Sequence, residues 1–196
     1  IGNSMPATDS IPPADPLRNP LPLPTRPVDV LSEWRRLETA LAAAGRELAG
    51  LADQVQAGLG RQQADIFRAH EALLADGDLR LDLRRQIEEG LSADAAVQHT
   101  FLLAARRYRQ QASPLFQQRA ADVEDAGRRL LRLLAGEQEG AIELPAGSIV
   151  VAEELSPSQT AALDRSRLAG ICTVGGGPQA HTAILARSMG IPAVVG

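Results

Sequence analysis

The spacing of apolar residues separates a long central stretch of the chain from the segments on either side. Between residues 28 and about 136, apolar positions recur every three or four residues. The first stripe consists of Leu37, Leu41, Ala44, Leu48 and Leu51. This period is typical of amphipathic helices, and the Ala, Leu, Arg, Glu and Gln residues that fill the stretch are good helix formers.

The same spacing continues in three further segments of this stretch. Their apolar positions are Ile66, Ala69 and Leu73; Ala93, Val97, Phe101 and Ala104; and Val123, Ala126, Leu130 and Leu133. Breaks fall near residues 58–60, 76–77, 90–92 and 113–114, and Ser92 has the position of a helix N-cap. We predict four or five helices packed as a bundle.

After residue 136 the pattern changes to short apolar runs of strand length. Residues 148–152 and 170–174 predict two strands, residues 182–189 predict a helix, and residues 193–195 begin a third strand. Strands that alternate with helical segments indicate a small α/β domain. Because the sequence stops directly after the third run, we expect this domain to be incomplete at its C-terminus.

The first 27 residues have a different composition, since they contain eight of the thirteen prolines. Proline fixes φ, removes a backbone donor and disfavours helix in the preceding residue. This segment is expected to be an extended linker or terminal segment, and the alternative is a peptide ligand for an aromatic groove. The predicted divisions are therefore 1–27, a helical domain at 28–136 and a partial α/β domain at 137–196.

Composition excludes several classes of protein. The 196 residues carry a net charge of −4 and are 44% hydrophobic, which is too apolar for a wholly disordered chain and too acidic for broad nucleic-acid binding. A single cysteine, Cys172, excludes an internal disulfide framework and a cysteine-based zinc site. The sequence has no apolar run long enough to span a membrane and no signal peptide. We expect a soluble, cytoplasmic protein without nucleic-acid or membrane partners.

The candidate chemistry lies where a glycine run leads into a helix. Gly175, Gly176 and Gly177 follow a predicted strand, and His181 lies in the first turn of the next helix. Amide donors at a helix N-terminus favour a phosphate group, and a neutral imidazole is a nucleophile at physiological pH. His181 is therefore a candidate to accept a phosphoryl group, with Thr173 placed to orient its ring. The alternative is a structural or simply exposed histidine, and the spacing fits neither a P-loop nor a dinucleotide fingerprint.

Residues 176–187 and 190–196 resemble the swivelling phosphohistidine domain of phosphoenolpyruvate-utilising enzymes. This group includes pyruvate phosphate dikinase, phosphoenolpyruvate synthase and Enzyme I of the bacterial sugar phosphotransferase system. Residues 66–74, 92–96, 119–131 and 151–160 are similar to the helical domain inserted into Enzyme I, or to the equivalent module of a multiphosphoryl transfer protein. The resemblance therefore favours a carrier-docking helical bundle inserted into a small α/β phosphohistidine domain.

The resemblance also implies a mechanism and a partner. A histidine of the family takes a phosphoryl group from phosphoenolpyruvate at Nε2 and passes it to a histidine of the carrier protein HPr. Carried over, His181 is the nucleophile and Thr173 its ring partner. The residues that match positions at or near the carrier-docking face are His70, Asp76, Asp78 and Arg119. Two purely structural alternatives remain. The two aspartates would suit a polar interhelical turn, and His70 would suit an ordinary core or surface histidine.

Several departures and two competing functions accompany the resemblance. Pro178, Gln179 and Ala180 replace the family's more polar residues before the histidine, Val174 stands where an acidic residue is common, and Arg61 and Gln62 replace glutamates. The C-terminal barrel that binds phosphoenolpyruvate and Mg²⁺ lies outside this sequence, so no cofactor is expected within it. The alternatives are a carrier-binding scaffold without turnover and the phosphohistidine domain of a dikinase-like enzyme.

Overall fold

A computed structural model describes residue 17 and residues 28–137 and 144–196. The described part of the central stretch forms five helices: α1 (Val30–Leu59), α2 (Arg61–Leu74), α3 (Gly77–Glu88), α4 (Ala93–Arg109) and α5 (Pro114–Leu134). Local chemistry explains three of the helix starts, because Asp29, Asp76 and Ser92 each cap a helix by accepting from its first backbone amides. The predicted helical bundle and the Ser92 cap are confirmed.

One contiguous apolar core holds the bundle together. Its largest fully buried side chains include Phe67, Phe101, Leu37 and Leu48. Helices α4 and α5 approach closely at Gly127, where a Cβ atom would lie 2.9 Å from the Cβ of Phe101. Leu17, from the proline-rich segment, is also buried against this core, whereas the other residues of that segment lie outside the described part of the chain.

The predicted apolar stripe of α2 was wrong by one position. Ile66, Ala69 and Leu73 are only partly buried, and the buried face consists of Ala64, Phe67, His70 and Leu74. The sequence interpretation left His70 open, as a docking residue or as an ordinary core or surface histidine. The ring is almost completely buried, because two carboxylates of α5 face its nitrogens.

The remainder of the described chain forms a small α/β unit. Its strands are β1 (Ser148–Ala152), β2 (Leu168–Thr173) and β3 (Ala193–Val195), which form a parallel sheet in the order β1-β2-β3. Helix α6 (Pro157–Ala162) and a 3-10 turn (Arg165–Arg167) connect β1 to β2, and α7 (His181–Met189) connects β2 to β3. The predicted α/β unit is confirmed, and α6, which begins with a capping box of Ser156 and Gln159, was not predicted.

Polar side chains join the bundle to the α/β unit. Gln63 of α2 donates to the Ser188 hydroxyl of α7 at 2.9 Å, and Gln118 of α5 donates to the Gln179 carbonyl at 2.7 Å. These contacts place the N-terminal end of α7 over α5. No helix in the described residues is both long and apolar enough to cross a membrane.

Candidate active site

The glycine run sets the position of His181 through close backbone contacts. The amide of Gly175 donates to the Glu153 carbonyl at 2.7 Å, and a Cβ at this position would lie 3.2 Å from that oxygen. Gly176 has a φ of +86°, in a region that favours glycine. The Ala180 amide donates to the Gly177 carbonyl at 2.9 Å, which closes the turn directly before α7. Glycines are therefore required here for geometry, and His181 is the first residue of the helix that follows.

The N-terminus of α7 is anchored but has no side-chain cap. The Thr182 hydroxyl donates to the Leu155 carbonyl at 2.9 Å and ties the first turn to the β1–α6 connection. Ala180 occupies the N-cap position and its side chain cannot accept a hydrogen bond. The first amides of a helix have no intrahelical partner, and the helix dipole makes this end partly positive. An anionic group held beside His181 would find these donors available.

The ring of His181 is mostly buried and lies beside an aspartate. Its side chain is 17% exposed, and its Nδ1 lies 3.3 Å from Oδ1 of Asp122. Burial lowers the pKa of His181, and the positive charges of His70 and Arg119 act in the same direction, against the opposing effect of the Asp122 and Asp125 carboxylates. In the neutral ring, a proton on Nδ1 faces the Asp122 carboxylate. The lone pair is then on Nε2, which is the nucleophilic nitrogen of this tautomer.

Asp122 is shared between two histidines. The oxygen that faces His181 also lies 3.1 Å from Nε2 of His70, and the other oxygen is 3.6 Å from Nη1 of Arg119. On the far side of the His70 ring, Nδ1 lies 3.4 Å from Oδ2 of Asp125, as an ion pair without hydrogen-bond geometry. His70 is thus placed between two carboxylates of α5, and only 1% of its surface is exposed.

The charges in this cluster stabilise one another. Burial lowers the pKa of His70, but its contacts with Asp122 and Asp125 outweigh burial and raise the pKa to about 9. Burial correspondingly raises the pKa of Asp125, and the opposing contact with His70 brings it down to about 2. At neutral pH the ring of His70 is therefore an imidazolium between two carboxylates. It has no lone pair to offer a metal ion, and within the described residues no group of three or more His, Cys, Asp or Glu side chains is arranged to hold one.

Some of the predicted site residues lie where the sequence indicated, and others do not. His181 and the glycines lie together as expected, but the Thr173 hydroxyl donates to the Gly175 carbonyl at 2.9 Å, and the polar group recorded at the His181 ring is Asp122. Thr173 therefore stabilises the glycine turn in this conformation. His70 is corrected from the docking face to the interior, because a ring with 1% exposure cannot contact a partner.

The other predicted docking residues lie at the surface. Asp76 caps α3 by accepting from the Leu79 amide at 2.9 Å, as the turn interpretation requires, and Asp78 is exposed in the first turn of that helix. Arg119 is exposed and lies at the edge of the site beside Asp122. Sequence reasoning missed Asp122 and Asp125. The available signal was their spacing of three residues beside the apolar stripe of α5, which places both on one face of the helix.

Comparison with known proteins identifies the family. The family described as PEP-utilising enzyme, N-terminal, matches residues 10–119, and the PEP-utilising enzyme, mobile domain, matches residues 144–196. The chain is 42% identical over 162 residues to the phosphoenolpyruvate-protein phosphotransferase of Haloferax volcanii, covering 82% of this chain and 28% of that protein. It is 39% identical over 159 residues to the multiphosphoryl transfer protein of Rhodobacter capsulatus, covering 81% and 19%. The chain thus spans less than a third of the length of these relatives.

Solved structures give the same result. An NMR solution structure of an Enzyme I protein aligns with a TM-score of 0.70 and 30% identity, covering 89% of this chain and 73% of the other. The N-terminal domain of Enzyme 1 – Nitrogen aligns with a TM-score of 0.66 and 30% identity, covering 92% and 74%. The resemblance drawn from the residues alone is confirmed. The chain belongs to the PEP-utilising enzymes, as a counterpart of the N-terminal domain of Enzyme I with its mobile phosphohistidine domain.

Proposed function

We propose that this chain carries a phosphoryl group from phosphoenolpyruvate to an HPr-type carrier protein through a phosphohistidine at His181. The observation that supports this most directly is the orientation of the ring. Nδ1 of His181 faces the Asp122 carboxylate, and Nε2 remains for phosphorus beside the uncapped start of α7. The names of the relatives, phosphoenolpyruvate-protein phosphotransferase and multiphosphoryl transfer protein, favour the same reaction class.

The proposed transfer to the carrier exchanges one nitrogen–phosphorus bond for another. The bond between Nε2 of phosphorylated His181 and phosphorus breaks while a bond from the carrier histidine to the same phosphorus forms. The electron pair of the broken bond returns to Nε2, so His181 recovers its lone pair and keeps its Nδ1 proton throughout. Asp122 stabilises the positive charge that the ring bears while Nε2 is bonded to phosphorus. Transfer then depends on positioning and charge stabilisation.

We assign the docking surface for the carrier to the exposed side of α5 near its N-terminus. Leu115 is 60% exposed and Phe116 is 37% exposed on α5, directly before Arg119. Positions 115, 119 and 122 are four and three residues apart, so Leu115, Arg119 and Asp122 lie on one face of the helix. We propose that the carrier packs on the apolar pair, with Arg119 beside the phosphoryl group in transit. Asp76 and Asp78 would then meet basic residues at the rim and increase the encounter rate.

Phosphorylated carrier tests the assignment of His181. Radiolabelled phosphocarrier added to the chain should label it, and the label should be lost in acid and retained in base. His181→Ala should abolish labelling, whereas His99→Gln, which removes an exposed histidine of α4, should leave it unchanged. Undiminished labelling of the His181→Ala variant would contradict the proposal. Carrier binding without any labelling of the wild-type chain would favour the alternative of a binding scaffold.

Asp122→Asn tests the role given to the carboxylate. The amide can still accept from Nδ1 but carries no charge to stabilise the phosphorylated ring. We expect a transfer rate about 100-fold lower, the size of loss that misplaced or uncompensated groups cause in positioned reactions. The rate is measured by rapid quench of the labelled carrier. A rate within twofold of wild type would remove Asp122 from the mechanism and leave His181 in it.

A further inference from the structure

A carboxylate beside a nucleophilic histidine has two opposing effects. It orients the ring by accepting from Nδ1, but its negative charge also favours protonation of Nε2, which would remove the lone pair that attacks phosphorus. Asp122 has this position beside His181, at 3.3 Å. A second group must therefore offset the charge of Asp122 without taking its place as the acceptor.

His70 meets both requirements. Its Nε2 lies 3.1 Å from the Asp122 oxygen that His181 faces, and its Nδ1 lies 3.4 Å from Asp125. A carboxylate oxygen can accept from two donors at once, so His70 neutralises Asp122 and leaves its oxygen able to accept from Nδ1 of His181, 3.3 Å away. The charged groups that shift the pKa values of the two rings are Asp122, Asp125 and Arg119 of α5, together with the rings themselves. Both His70 and Asp122 therefore belong to helices of the bundle, α2 and α5.

We propose that His70 is a positioning residue for the transfer reaction proposed above: from inside the bundle it holds Asp122 so that His181 stays neutral with its proton on Nδ1. The electrostatic balance agrees with this assignment, because the charge of His70 lowers the pKa of His181 while that of Asp122 raises it. His70 does not touch the phosphoryl group and acts only through Asp122.

Ring nitrogen NMR measures this effect without any activity. The chain has three histidines, at positions 70, 99 and 181, so each ring can be assigned by removing one residue at a time. His70→Gln keeps an N–H donor for Asp122 but carries no charge. We expect His181 to retain the Nδ1–H form in this variant, while its protonated fraction at pH 7 rises about tenfold. His70→Met removes the donor as well, and both neutral forms of His181 should then appear.

His99→Gln is the matched control and should leave the His181 ring unchanged. Should His70→Gln and His70→Met fold and also leave the tautomer and protonated fraction of His181 as in wild type, the proposal is wrong. If His70→Met does not fold, His70→Gln alone decides the question through the pH midpoint of the His181 ring. That midpoint should be higher in His70→Gln than in wild type, because the positive charge that opposes protonation of His181 is lost. Equal midpoints in the two proteins overturn the proposal.

Transfer kinetics separate positioning from a merely structural role. In His70→Gln, transfer from the phosphocarrier at pH 6.5 should slow about two- to fivefold, with little change at pH 8.5, because only the neutral fraction of His181 differs. A uniform loss at every pH would indicate structural damage and contradict the proposal. If wild-type His181 is never labelled, the proposed function fails while the ring measurements still test the coupling. If labelling is normal and the His70 variants leave His181 unchanged, the coupling fails alone.

Discussion

The two buried faces of α5 perform different tasks. One face, with Val123, Ala126 and Leu130, belongs to the apolar core of the bundle. The other buries Asp122 and Asp125 towards α2 and the α/β unit. The apolar face gains free energy from leaving water. The polar face gains little net stability from its ion pairs, because each charge must first be desolvated. Its value lies in holding a single arrangement of side chains beside His181.

The polar face is completed by contacts that reach across to α6 and α1. Ser158 of α6 donates to Asp125 at 3.0 Å and accepts from Arg129 at 2.7 Å. Arg129 in turn forms an ion pair with Glu47 of α1. Buried charges without partners are costly, so this series of partners is what allows the polar face to be buried at all. The site is therefore supported by the bundle and not only by the glycine turn that carries His181.

The greatest change that we expect is a loss of stability on raising the pH, which should arise from the polar face of α5 and not from its apolar face. Below pH 6.5 the folded and unfolded chains both hold a proton on His70, whereas between pH 6.5 and about 9 only the folded chain retains it. The free energy of unfolding should therefore fall as the pH rises through this window, by about 3 kcal/mol in total. Urea unfolding at pH 6.0 and pH 9.5 measures the change.

The composition of the chain makes this measurement clean. All 20 basic residues are arginine, so lysine titration does not interfere near pH 9. His70→Gln should flatten the pH dependence, and His99→Gln should preserve it. A wild-type stability that is constant between pH 6.0 and 9.5 would show that His70 is not charged in the folded protein, and the distinction between the two faces would then have no electrostatic basis.

The apolar face should respond to volume and not to pH. Gly127→Ala places a methyl group 2.9 Å from the Cβ of Phe101 and 3.0 Å from Cδ1 of Leu17. We expect a loss of about 1–3 kcal/mol from overpacking between α4 and α5, equal at pH 6.0 and 9.5. Gly50→Ala on the exposed side of α1, where the added carbon meets nothing within 4 Å beyond its chain neighbours and the helix's own backbone, should instead stabilise by about 0.5–1 kcal/mol. Equal effects of the two substitutions would contradict the close approach of the helices.

The sequence was sufficient for most apolar features of this fold, and the buried face of α2 is the exception. Helical spacing predicted the bundle, and strand-length runs predicted the α/β unit. The position of His181 also followed from sequence, because a glycine turn and the helix after it are adjacent in the chain. In each case the deciding interaction lies within a few residues, or depends on apolar burial that the periodicity reports directly.

The polar half of the site could not be predicted in the same way. His70 and Asp122 are 52 residues apart, and nothing in either segment alone indicates that they meet. The apolar stripe of α2 was assigned to Ile66, Ala69 and Leu73, and the core position of His70 stood only as one alternative, because the carboxylates that face its ring belong to a distant segment. Thr173 was assigned to the His181 ring from its place at the end of a strand, whereas the structure gives its hydroxyl a partner two residues away.

The smallest change in stability should come from removing an uncharged hydrogen bond between the helical bundle and the α/β unit. Gln63 of α2 donates to the Ser188 hydroxyl, which itself donates to the Ile184 carbonyl within α7. Gln63→Ala should cost about 1 kcal/mol at both pH values, because one partly buried neutral hydrogen bond is lost. Gln62→Ala, at the exposed neighbouring position, should change stability by less than about 0.5 kcal/mol. If Gln63→Ala also altered the tautomer of His181, the position of α7 would depend on this single contact. Asp122 would then not be sufficient to orient the ring of His181.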